Sequence, residues 1–122
     1  MNGHLFLVHW DAASAQQLVH ELNVRGWQVD IESEDGGRAY QRIKAHPPDV
    51  VMIDLSRKPS HGLRTAAALR DHKATRGLPI VFVDGTAEAI EKARALVPNA
   101  VSTTSAELQT TLAALAPAAG GV

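Results

Sequence analysis

Asp54 stands where chemistry is most expected. It directly follows four apolar residues, Val50-Val51-Met52-Ile53, so a carboxylate caps the tip of what should be a buried element. Other apolar runs also end on reactive types. His9, Trp10 and Asp11 follow Leu5-Phe6-Leu7-Val8, Asp84 follows Ile80-Val81-Phe82-Val83, and Thr103 and Thr104 follow the weak run Ala100-Val101-Ser102. An imidazole and a carboxylate brought together would form a hydrogen bond or ion pair that favours the charged ring. His9, Asp11, Asp54 and His61 are ligand types that suit Zn²⁺. The six histidines are dispersed, however, with no HxxxH spacing, so no metal site is assigned. Ser56 and Ser60 lie near Asp54, but no GxSxG elbow supports hydrolase chemistry. Neither GxGxxG nor a Walker-type loop is present to cradle a nucleotide.

The elements that must position these residues repeat as strand, then helix. Ala15, Leu18, Val19 and Leu22 fall on one face of a helix over about 12–23, with Asp11 as its N-cap and Gly26 as its stop. Trp27 to Ile31 alternates apolar and polar, as an edge strand does. Asp35-Gly36-Gly37 reads as a turn into a helix over about 38–45, ended by Pro47-Pro48. A loop over 55–61 leads to a helix over about 63–72, and another helix spans about 87–96. Thr104 and Glu107 have capping-box spacing at the head of a last helix, which carries Leu108, Leu112 and Leu115 on one face. Such alternation implies right-handed crossovers, hence a doubly wound α/β fold with a five-stranded parallel sheet and five helices. Ligand crevices in such sheets lie at the carboxyl ends of the strands. The expected domain covers residues 1–116, with a flexible tail at 117–122.

Composition narrows the functional classes. The 122 residues carry 12 basic and 13 acidic side chains, a balance that gives no general electrostatic footprint for nucleic acid. Aromatics are 4%, too few for base-stacking platforms. There is no cysteine, and no apolar run nears the ~20 residues of a membrane span. A cytoplasmic protein without membrane or nucleic-acid partners is the expectation.

The segment Pro48-Asp49-Val50-Val51-Met52-Ile53-Asp54-Leu55, followed by Pro59 and Gly62, resembles the bacterial response-regulator receiver family. Leu78-Pro79-Ile80-Val81-Phe82-Val83 looks like that family's fourth strand, and the similarity covers residues 4–115. The resemblance implies a CheY-like, flavodoxin-like sheet of order 2-1-3-4-5, with Asp54 as phosphoacceptor in a two-component relay. It implies no enzyme in its own right, and as partner a histidine kinase or an output domain or protein. It also points to the helix 4–strand 5–helix 5 face as a possible homodimer surface.

The chain departs from the family at the charges. Where two acids usually hold Mg²⁺ with the acceptor Asp, His9 and Trp10 stand. Asp84 replaces the usual Ser or Thr after strand four, and Thr103 or Thr104 replaces the Lys after strand five. Phosphoryl transfer depends on neutralising charge on the moving oxygens, and each loss of a few kcal/mol matters when ~1.4 kcal/mol is tenfold in rate. The expectation is therefore an atypical receiver without cofactor, acting as a protein-interaction module. Its crevice is lined by His9, Trp10, Asp11, Ser56, Asp84, Thr103 and Thr104. The alternative keeps Asp54 active, with Mg²⁺ on Asp11, Asp54 and the Ser56 carbonyl. Trp10 reads as a plug for the vacated metal pocket or as an anchor for a partner, the plug being favoured.

Overall fold

Five apolar runs become five parallel strands in the order β2-β1-β3-β4-β5, as expected. A computed structural model describes residues 3–115; the expected tail at 117–122 lies outside the described residues. The elements are β1 (Gly3–Val8), α1 (Ala12–Val24), β2 (Trp27–Glu32), α2 (Gly36–Ala45), β3 (Val50–Asp54), α3 (Pro59–Asp71), β4 (Ile80–Val83), α4 (Ala87–Leu96), β5 (Val101–Thr103) and α5 (Leu108–Leu115). No described helix is long and apolar enough to cross a membrane.

Strand alternation splits the core into two layers. Leu5, Leu7, Val50, Met52, Val81 and Val83 face α1 and α5. Phe6, Val8, Val51, Ile53, Ile80 and Phe82 face α2, α3 and α4. β3 is buried along its whole length, which is why its sequence is continuously apolar up to Asp54. Each large side chain fully removed from water contributes about 1.5–3 kcal/mol.

Three boundaries differ from the sequence expectation. α2 starts at Gly36, because Asp35 is its N-cap, accepting from the amides of Gly37 at 2.8 Å and Arg38 at 3.1 Å. The expected free-standing turn is the first turn of that helix. α3 starts at Pro59, whose fixed φ suits a first helical position, after Lys58 at φ 44°. The early start places Gly62 inside the helix, where a Cβ would lie 2.7 Å from Ile53 Cγ2, so α3 sits directly on β3. Thr104 accepts from the Glu107 amide at 3.3 Å within a turn, and regular helix begins only at Leu108.

Candidate functional site

The same alternation decides which strand-end residues meet. β1 pairs with β3 in a register that sets Val8 beside Ile53. One step further, His9 and Asp54 both fall on the α1–α5 side of the sheet. The His9 amide still donates to Glu32 O, at 3.1 Å, so the chain stays extended there. Trp10 must then turn to the opposite side. Its ring meets His61 edge-on, with centroids 5.5 Å apart, and its tip lies beside Gly36. Trp10 therefore does not fill a pocket at Asp54. That expectation failed because the plug was assigned without counting strand parity from Leu5.

His9 and Asp54 are both buried, about 5% exposed, with Nε2 and Oδ2 3.6 Å apart. The imidazole is fixed from its other side, where the Asp11 amide donates to Nδ1 at 3.1 Å. A nitrogen that accepts carries no proton, so the ring proton sits on Nε2 and faces the carboxylate. The two groups meet, as expected of a hydrogen bond or ion pair between them, across 3.6 Å. The second Asp54 oxygen, Oδ1, accepts from the Ser56 amide at 2.9 Å and from the Ser56 hydroxyl.

Asp11 caps α1 as expected, accepting from the Ala13 amide at 3.3 Å and the Ser14 hydroxyl at 2.9 Å. Arg57 Nη2 adds an ion pair at 3.4 Å. The Ser14 hydrogen bond, helped by Arg57 and the Ala13 amide and opposed by desolvation, holds the Asp11 carboxyl below its usual range. Asp84, at φ 60°, turns its carboxylate toward the head of α5, accepting from the Ser105 amide at 2.9 Å and from the Ser105 hydroxyl. Gly85 follows at φ 101°, where a Cβ would lie 2.9 Å from Leu55 Cβ. Thr103 and Thr104 do not join the group: Thr103 Oγ1 bonds Thr111 Oγ1 at 2.8 Å, and Thr104 caps its own turn.

His9, Asp54, Ser56, Arg57, Asp84 and Ser105 line the head of a cleft of about 520 Å³ that continues between α1 and α5. Two participants were not singled out from sequence. Ser105 lies between the capping-box residues Thr104 and Glu107, and Arg57 sits in the loop over 55–61. Glu32 was missed altogether. It is buried at the end of β2, accepts from the Glu34 and Asp35 amides at 3.2 and 3.3 Å, and faces Arg38 and Arg42 at 3.6 Å each. Its position as a charged residue closing a strand was the available signal.

No protein-family profile matches the chain. It is 31% identical over 61 residues to the chemotaxis protein CheY of Bacillus subtilis, covering 49% of this chain and 51% of that protein. It is 32% identical over 75 residues to the transcriptional regulatory protein KdpE of Mycobacterium tuberculosis, covering 62% of this chain and 31% of that one. The chain thus spans about half or less of the curated relatives it matches. Among solved structures it superposes on the Vibrio cholerae chemotaxis protein CheY4, with TM-score 0.78 and 19% identity over 94% of this chain and 99% of that one. A CheY-like receiver domain from Methylobacillus flagellatus gives TM-score 0.77 and 22% identity, with 94% and 99% covered. The chain has the CheY-like receiver fold.

The metal of the receiver family can be tested against these donors. Mg²⁺ asks for several oxygen ligands in near-octahedral array, several of them waters. In this receiver fold one Asp54 oxygen is held by Ser56 and the other faces the His9 N–H, which offers no lone pair. The Asp11 carboxylate is committed to Ala13, Ser14 and Arg57. Among the described residues no three His, Asp or Glu side chains are grouped to hold an ion.

Proposed function

We propose that this chain is an atypical receiver domain of bacterial signal transduction. It acts as a protein-interaction module, with Asp54 outside the usual Mg²⁺-dependent phosphorylation. The observation that carries the reading is the enclosure of Asp54: buried, bonded twice by Ser56, and faced by the His9 N–H at 3.6 Å. Placing a phosphoryl group there turns a singly charged carboxylate into an acyl phosphate of about two charges, in a cleft where Asp84 is already taken up by Ser105 and Arg57 by Asp11. The partner in this reading is a protein, either a histidine kinase or an output domain or protein, with self-association through α4, β5 and α5 as a further option.

A second reading keeps Asp54 as phosphoacceptor, and one feature favours it. Arg57 reaches the cleft and could neutralise charge in place of the family's Lys. The test uses beryllofluoride, which stands in for the phosphoryl group, with Mg²⁺ and amide NMR. We expect the resonances of Asp54, Leu55, Ser56 and Asp84 to stay in place. Saturable shifts there, lost in Asp54→Asn, would give the chain to the second reading.

A further inference from the structure

The cations of this chain are unevenly placed. Nine of its 12 Lys and Arg residues lie between positions 38 and 76, with only three of its 13 acids. That span includes most of α2, all of α3 and the flanking loops. α2 carries Arg38, Arg42 and Lys44 and no acid, and α3 carries a single one, Asp71, at its end. Glu32 offsets Arg38 and Arg42 with one carboxylate for two guanidinium groups.

α2 and α3 pack side by side, and a groove of about 410 Å³ runs between them. Tyr40 and Gln41 form one wall, and His61, Arg64, Thr65 and Ala68 the other. Lys44 extends the α2 stripe, three and four residues beyond those wall positions. Asp35 is the acid at the groove's end, and its carboxylate is taken up by the first amides of α2. Neither Arg64 nor Lys44 has an ion-pair partner among the described residues. Beneath the rim, Trp10 contacts His61, and its buried indole N–H has no acceptor among the described residues.

We propose that the α2–α3 face docks an acidic amphipathic segment of a partner protein. This deepens the proposed function by naming the surface and the chemistry of its partner. Apolar side chains of the segment occupy the groove while its carboxylates meet Arg64, Lys44 and the positive end of the α2 dipole. Complementary charge sets orientation and encounter rate, and the groove supplies the buried contact. Nucleic acid is the other polyanion, but the walls offer a single Tyr where stacking would need a platform.

The test uses a synthetic helical peptide with Leu at i, i+3, i+4 and i+7 and Glu elsewhere, a scrambled peptide of equal composition, and single- and double-stranded DNA oligonucleotides. The full chain is read by amide NMR. Trp10 emission is followed in a Trp27→Phe background, since Trp27 lies buried in the opposite layer. The patterned peptide is expected to shift residues 36–44 and 61–68 saturably and to change Trp10 emission. Binding should weaken ~10-fold or more in Arg64→Glu and in Lys44→Glu, and again at about 0.5 M NaCl. Ala68→Trp, at an exposed wall position, should block the groove without unfolding the chain. The proposal is overturned by any of four results: no saturable shift up to about 1 mM peptide, shifts centred on another face, binding indifferent to Arg64→Glu and Ala68→Trp, or DNA binding more tightly than the patterned peptide. A beryllofluoride response at Asp54 would instead overturn the proposed function and leave this surface intact.

Discussion

Replacing Asp54 by Ala gives the most direct measure of how the cleft is held together. The carboxylate accepts two hydrogen bonds from Ser56 and faces the His9 N–H. A hydrogen bond to an ionised acceptor contributes about 1.5–3 kcal/mol when well enclosed. Ser56 is exposed, so the lower end of that range applies to the pair together, and the 3.6 Å contact with His9 adds little. The expected loss is about 2 kcal/mol, or roughly 8 °C in Tm for a domain of this size. The sign is the informative part. Where several carboxylates crowd one site, deleting one relieves repulsion and stabilises the fold. Here Asp54 accepts from Ser56 and faces His9, while the Asp84 carboxylate in the same cleft is held by Ser105, so deletion should destabilise. Urea unfolding of wild type and Asp54→Ala at pH 7, fitted with a common slope, measures the difference. An Asp54→Ala chain as stable as wild type, or more so, would refute the account of the site.

Asp11→Ala should lower stability at neutral pH. Because the folded-state pKa of Asp11 lies below its ordinary 3.8, its contribution is present above 3.8 and lost as pH falls through the lowered folded-state pKa, so urea midpoints of the two chains should converge as the pH is taken below 3.8. Gly85→Ala should cost about 1–3 kcal/mol by thermal unfolding, since it puts a side chain at φ 101° against Leu55, whereas Gly77→Ala, with open space around it, should stay within about 0.5 kcal/mol. Asp84→Ala should speed hydrogen exchange at the Ser105 amide and cost about 1 kcal/mol, and unchanged exchange there would show that the carboxylate does not hold that loop.

Much of this could be read from residue order. Continuous apolar runs gave the buried strands, and their spacing gave four crossovers and a closing helix, because a parallel sheet covered on both faces leaves that pattern. Asp11 as a cap followed from its place just before the first helical face. The errors arose where local rules compete. Asp35-Gly36-Gly37 has turn composition, yet a capping Asp makes those glycines helical. Trp10 was assigned by family position, although counting alternation along β1 sends it to the other layer. Asp84 lines the crevice as expected, but its left-handed backbone and Ser105 turn its carboxylate toward the next loop. Such side-chain directions depend on partners 21 or more residues away, which sequence spacing does not reveal.

The Asp84–Ser105 link has a mechanical corollary. It fastens the connection after β4 to the one after β5, while Arg57 fastens the connection after β3 to Asp11, in the connection after β1. The mouth of the crevice is thus bordered by two stapled jaws rather than four independent flaps. Between the jaws runs the stretch of rim from Ser56 to Asp84 that neither staple crosses.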